Sequence, residues 1–216
     1  MSLLFFGVYF ILQTLYYSAI YKCVGRIGSE SVRLVLLYIP PLFIVILYQH
    51  LLSGAKIISM NPTINLFVLF VSGVMFWLRY KNVRNLVADI ELLVVYKGEI
   101  FPAYVYIKNI ILLVVGVVLE EVIFRLILIE LTRGYGVLIC TFVSTSFFVL
   151  SHYLHPNAKD KFNRDDYLWQ VIVSILCGFI YYYTSNILLC VVIHLSMNMV
   201  NILIQYNLYR YVVNEQ

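Results

Sequence analysis

Hydrophobic residues run in long blocks along this chain, and polar residues gather between the blocks rather than alternating with them. A membrane-spanning helix needs about 20 mostly apolar residues. Seven blocks approach or exceed that length: Leu3–Tyr21, Val32–Leu52, Thr63–Leu78, Ala103–Leu131, Val137–Tyr153, Leu168–Tyr183 and Ile187–Leu208. The pattern predicts an all-α polytopic membrane helix bundle of about seven transmembrane helices, within a range of six to eight. Pro40 and Pro41 stand inside the second block and are expected to kink or break it. The third block is short. After it, Asn82–Lys97 mixes charges with Val83, Leu86, Val87, Ile90 and Leu93 at helical spacing, as in a helix lying in the membrane interface. No linker, internal repeat or low-complexity stretch divides the chain, so residues 1–216 read as one integral membrane domain.

Composition supports that class. The chain is 62% hydrophobic and 12% charged, whereas a soluble domain is about 45–50% apolar and about 25% charged. Intrinsic disorder, a secreted disulfide scaffold and a DNA-binding domain are excluded; the expected partner is the lipid bilayer, with no nucleic acid. Cys23, Cys140, Cys177 and Cys190 are widely separated and form no CxxC, so they read as buried small apolar residues. The N-terminus is apolar from Leu3 and lacks a basic leader, which favours a first transmembrane helix over a removable signal peptide.

Charge distribution adds orientation. Alternate loops hold Lys22, Arg26 and Arg33, then Arg79, Lys81, Arg84 and Lys97, then Lys159, Lys161 and Arg164, with Arg210 in the tail. The opposite loops hold only Lys56 and Arg133. By the positive-inside tendency the expectation is a multi-pass protein of the cell membrane with a cytoplasmic C-terminus and an external N-terminus.

Ionisable residues inside apolar spans are costly and mark function. The fourth block carries Glu120, Glu121 and Arg125, with Glu130 near its outer end. Glu121 and Arg125 are four residues apart and share a helix face, so they can neutralise each other. Glu120 points about 100° away, without that partner, and Gly116 leaves a bare patch one turn before it. A carboxylate so placed suits a general base. In the fifth block Thr141, Thr145, Phe148 and His152 form one semi-polar stripe. His155, in the polar loop, is expected to face solvent, and His50 to lie at an interface. The seventh block presents Cys190, His194, Asn198, Asn201 and Gln205 along one face. Interhelical hydrogen bonding accounts for Asn201 and Gln205, and less well for His194 with Asn198. Together these helices offer a carboxylate, two imidazoles and an amide, enough to activate water and hold an oxyanion. No GxSxG, HExxH or glycine-rich phosphate loop occurs.

Three motifs carry a resemblance. EExxxR is present as Glu120-Glu121-Val122-Ile123-Phe124-Arg125, FxxxH as Phe148 to His152, and HxxxN as His194 to Asn198. In this order the set resembles the signature of the CPBP family, the CAAX prenyl endopeptidase and bacteriocin-processing intramembrane proteases also called the ABI family. The resemblance covers about Gly116–Asn201. It implies an intramembrane endopeptidase acting on a hydrophobic, lipid-modified or membrane-embedded peptide. Glu120 would activate water with His152, His194 and Asn198 would polarise the carbonyl and hold the oxyanion, and Glu121, Arg125 and Phe148 would shape the site. Glu120, His152 and His194 also match a His₂Glu zinc set, so Zn2+ and a metal-free glutamate mechanism both stand. The family also contains bacteriocin self-immunity proteins, which would act by binding or cleavage. A small transporter lined by the polar stripe is the reading from another class, disfavoured by the lack of paired broken helices.

One expectation conflicts with the rest. Counted from Lys108, Glu120 lies about 18 Å deep, whereas His152 closes its block and should lie near the surface. The two meet if that helix tilts or ends within the bilayer, or if a cavity opens from the cytoplasm so that Pro156 and the following loop dip inward.

Overall fold

A computed structural model describes residues 3–24, 30–48, 62–90, 94, 101–155 and 162–214. The described chain is all-α: α1 (Leu3–Val24), α2 (Glu30–Leu47), α3 (Pro62–Ala88), α4 (Ala103–Glu121), a π-helical segment (Val122–Ile127), α5 (Leu128–Thr132), a 3₁₀ turn (Arg133–Tyr135), α6 (Val137–Tyr153), α7 (Arg164–Thr184) and α8 (Ile187–Asn214). Among the described residues four helices are long and apolar enough to cross a membrane, within Leu3–Ile20, Pro62–Asn85, Arg164–Thr184 and Ile187–Asn214. Outward-facing residues such as Leu4, Ile11, Leu15, Leu66, Phe70 and Phe142 are apolar and exposed. A water-facing surface would not carry so continuous a greasy face. The protein is a membrane helix bundle.

The chain divides into two compact units: Met1–Ile58 with Leu119–Ile187, and Ser59–Val118 with Leu188–Gln216. In the second unit Tyr106, Leu208 and Val212 form a buried cluster, against which Ile90, Val94 and Ile204 pack. Asn109 Nδ2 donates to Gln205 Oε1 at 3.4 Å, and Asn207 Nδ2 to the Val87 carbonyl at 3.1 Å. The expected interfacial helix at Asn82–Lys97 is therefore corrected. Its first half simply prolongs α3 through Ala88, and Ile90 and Val94 turn to a protein core rather than to lipid; Leu93 and Lys97 lie outside the described residues.

In the first unit α2 continues through Pro40 and Pro41 rather than breaking. Proline lacks the N–H that would bond to the carbonyl four residues earlier. For Pro40 that carbonyl is Leu36, and the Tyr16 hydroxyl of α1 donates to it at 3.0 Å. A neighbouring helix thus satisfies the acceptor that the proline strands, as a bilayer requires.

Helices α6 and α7 run antiparallel. A Cβ placed on Gly178 would come within 2.9 Å of Thr141 Cγ2, so only glycine permits this approach. At the other end the Tyr153 and Tyr167 rings sit 6.1 Å apart. Sequence places the start of α7 at Leu168, but a capping box begins it at Arg164: Asp166 N donates to Asn163 Oδ1, and Asn163 N to Asp166 Oδ2. Polar first-turn residues conceal that start from an apolar count. Near the Gly178 end Arg133 makes a two-pronged ion pair with Glu130 (2.9 and 2.7 Å) and donates to the Tyr182 carbonyl and Ser185 Oγ. This clamp ties the α5–α6 turn to the end of α7. Helix α1 packs parallel to α6: the Phe6 and Phe10 rings lie 5.5 and 5.0 Å from Phe147, and Tyr17 lies 6.5 Å from His155. His155 is half-buried against that tyrosine, not turned to solvent as expected. His50 and Cys23 fall outside the described side chains. Cys140, Cys177 and Cys190 are buried free thiols.

Candidate active site

The site is built where the π-helical segment meets α6. In this segment the Leu128 N–H bonds to the Ile123 and Arg125 carbonyls, bypassing Phe124. The Phe124 carbonyl accepts instead from the Ser144 hydroxyl of α6 at 2.7 Å. Ser144 Oγ in turn accepts from Arg125 Nη1 at 3.0 Å. Widened turns of this kind often accompany functional sites because they redirect side chains and free backbone groups. Sequence does not reveal the π segment, since its apolar residues suit an α-helix equally well.

Glu121 and Arg125 form the neutralising pair that their spacing suggests. Arg125 Nε lies 3.1 Å from Glu121 Oε2, and both side chains are 0% exposed. Such a pair is held by mutual attraction and by further hydrogen bonds, without which burying two charges would cost several kcal/mol each. Ser144 supplies one of those bonds. The guanidinium carbon also lies 4.9 Å from the centre of the Phe148 ring, a cation–π contact.

Phe148 is fully buried and joins two motifs. Its ring meets Arg125, lies 5.5 Å from Phe124 in a T-shaped contact, and has His152 packed 4.6 Å away. Phe162 adds a T-shaped contact to the His152 ring at 5.5 Å. The Phe of FxxxH therefore shelves the imidazole one turn further on.

His152 Nδ1 lies 2.9 Å from the Phe148 carbonyl oxygen. A carbonyl can only accept, so Nδ1 carries the proton and, in the neutral ring, Nε2 presents a lone pair. That Nε2 lies 3.8 Å from Glu120 Oε1, with His152 16% and Glu120 35% exposed at the side chain. The distance is too long for a direct hydrogen bond. Two acceptors so spaced can share one water placed about 2.8 Å from each. The partner that sequence leaves open for Glu120 is thus His152. The last turn of α6, whose 17 residues rise about 26 Å, meets Glu120 near the end of α4, so the two side chains stand side by side.

Sequence reasoning misses the tyrosines around this carboxylate. Glu120 interacts electrostatically with Tyr17 of α1 and Tyr38 of α2. Both come from the N-terminal part, where no motif draws attention to them.

In the second unit His194 is buried on α8 and Asn198 half-buried one turn on. Asn198 Nδ2 donates to the His194 carbonyl at 3.3 Å, and Asn201 Nδ2 to Asn198 Oδ1 at 3.4 Å. Of the two residues expected to bond across helices, Gln205 is met by Asn109 of α4, whereas Asn201 bonds along its own helix.

Comparison with curated proteins and with solved structures yields no match. A family model does match: residues 102–200 fit the type II CAAX prenyl endopeptidase Rce1-like family. That stretch holds all three motifs, the π segment and the Glu120–His152 pair. Residues 102–200 are thus similar to the type II CAAX prenyl endopeptidase Rce1-like family, which supports the CPBP resemblance of the three motifs.

Proposed function

We propose that the protein is an endopeptidase that hydrolyses a peptide bond in a hydrophobic, lipid-modified or membrane-embedded peptide by means of water activated between Glu120 and His152. The observation that carries this reading is the pair itself: a carboxylate oxygen and a bare imidazole nitrogen 3.8 Å apart, the ring locked by its Nδ1–H to the Phe148 carbonyl. Water donates one hydrogen to each. As its oxygen attacks the carbonyl carbon, its proton passes to Glu120 and the carbonyl electrons move to oxygen. Collapse of that intermediate breaks the C–N bond, and the amine leaves with the proton that Glu120 took. For the oxyanion we propose His194 and Asn198, on the strength of the HxxxN motif and the four-residue spacing that sets them on one face of α8.

A zinc ion on Glu120, His152 and His194 is the other use of the same donors. The Nδ1–H to carbonyl bond is one that metal-ligating histidines commonly make, and bound zinc would supply an acidified water. We favour the metal-free form. With Glu120 ligating a metal, its neighbour Glu121 would not serve as base, because it is committed to Arg125. The test is peptide cleavage by purified protein in lipid discs. Glu120→Gln is expected to lower kcat by about 10²–10⁴, and cleavage by that variant at the native rate overturns the reading.

A further inference from the structure

Two devices reinforce the start of α7. Asn163 caps the helix, and the capping box closes through Asp166 in both directions, at 3.0 and 3.1 Å. Phe162 precedes the cap and Tyr167 follows it by four residues, the two positions that a hydrophobic staple joins. Their ring centroids lie 5.8 Å apart. The Tyr167 ring also lies 6.1 Å from Tyr153 in the last turn of α6. Box and staple together fix the path by which the chain enters α7, and with it Phe162, a half-buried residue that belongs to no helix. The Phe162 ring has a second neighbour. It meets the His152 imidazole in a T-shaped contact, with centroids 5.5 Å apart and planes at 65°.

The other contacts that orient this imidazole are local to α6: the Phe148 carbonyl at Nδ1, the Phe148 ring at 4.6 Å, and Ser151 Oγ at 3.4 Å from Nδ1. The second side-chain torsion of a histidine is broad, without sharp staggered wells. Contacts from its own last turn therefore leave the ring room to swing about that torsion. A ring brought in from another element narrows the swing, because edge-to-face pairs favour a defined angle. We propose that Phe162 is a positioning residue: the capping box and staple of α7 hold its ring against His152, and that contact keeps Nε2 turned to Glu120 for the water they share. The inference rests on the peptidase reading. All the parts belong to the first unit: the end of α4, the last turn of α6 and the start of α7. Phe162, Asn163, Asp166 and Tyr167 lie outside the three motifs, yet they support the imidazole of one of them.

The experiment follows cleavage of one hydrophobic peptide in lipid discs by the native chain, Phe162→Leu, Phe162→Tyr, Asn163→Ala and Thr184→Val, with Glu120→Gln as reference. Loss of ring alignment should act on turnover and not on peptide affinity. Phe162→Leu should lower kcat about 3–10-fold with KM unchanged, the worth of one aromatic pair. Phe162→Tyr keeps the ring and should restore the native kcat. Asn163→Ala removes the cap and should lower kcat in the same direction but less. Thr184→Val breaks the bond from Thr184 Oγ1 to the Ile180 carbonyl at the far end of α7; it should lower the melting temperature and leave kcat as it is. A second readout needs no cleavage. Exchange of the His152 Nδ1–H with water, followed by NMR, should be about 3–10-fold faster in Phe162→Leu than in the native chain. Equal kcat for native and Phe162→Leu, while Glu120→Gln is inactive, overturns the inference and spares the peptidase reading. A fall in kcat as large in Thr184→Val as in Phe162→Leu overturns it as well, since it would report the stability of α7 alone. Undiminished cleavage by Glu120→Gln, or none by the native chain, removes the peptidase reading, and equal exchange rates would then remove the hold of Phe162 on the ring too. If Phe162→Leu does not fold, Asn163→Ala decides: an unchanged kcat with unchanged exchange counts against the inference.

Discussion

Arg125 holds its guanidinium 4.9 Å from the centre of the Phe148 ring, and through this contact the EExxxR motif bears on the FxxxH motif. The same ring packs against His152 at 4.6 Å. A wholly buried ion pair is thereby linked to the imidazole that meets Glu120. The EExxxR and FxxxH motifs are in this chain parts of one packed assembly.

Removing one member of the buried pair should be far worse than removing both. Arg125→Met leaves Glu121 as an unpaired charge at 0% exposure, a loss of about 3–5 kcal/mol. The double variant Glu121→Leu/Arg125→Met should recover most of this. Thermal unfolding of the two proteins in detergent checks the order, and equal destabilisation would show that the charges are not coupled.

Phe148→Ala should cost about 3–5 kcal/mol as a fully buried aromatic, and it should also free the His152 ring. Phe148→Leu, which keeps most of the volume, separates the two effects. It should restore much of the melting temperature while cleavage stays low, since an aliphatic side chain gives neither the cation–π contact nor the ring-on-ring shelf. Full activity in Phe148→Leu would place the phenylalanine outside the mechanism.

Ser144 offers a narrower test. It both donates to the Phe124 carbonyl and accepts from Arg125, so Ser144→Ala strands a carbonyl and a guanidinium donor at once. A loss of about 1–3 kcal/mol is expected. Ser144→Cys, able to hydrogen-bond weakly, should fall between.

The proline bypass yields a double-mutant cycle. Tyr16→Phe removes the donor to the Leu36 carbonyl and should cost about 1 kcal/mol. With Pro40→Ala the backbone N–H at position 40 can take over that carbonyl, so the same tyrosine change should then cost close to nothing. An unchanged cost in the alanine background would mean that Tyr16 acts through packing alone.

Chelation distinguishes the two chemistries. Under water activation by Glu120 and His152 alone, exhaustive treatment with a zinc chelator should leave kcat within about twofold of its starting value. A loss restored by added Zn2+ would assign His152 and Glu120 to a metal instead.

Much of this protein is written in composition and period. The helical class follows from apolar blocks, because hydrocarbon forces backbone groups to pair within one segment. Glu121 with Arg125 follows from a four-residue spacing, and the order of the three motifs points to the family. Other features escape a linear reading because their determinants lie on different helices. The π turn depends on Ser144 taking the Phe124 carbonyl, the unbroken α2 on Tyr16 reaching Leu36, and the true start of α7 on two reciprocal side-chain bonds. Local pattern decides what each segment becomes. Only packing decides that a short α6 ends beside Glu120, and that a tyrosine from the first helix stands next to the same carboxylate, because distance between helices is set by the side chains that touch and not by their separation along the chain.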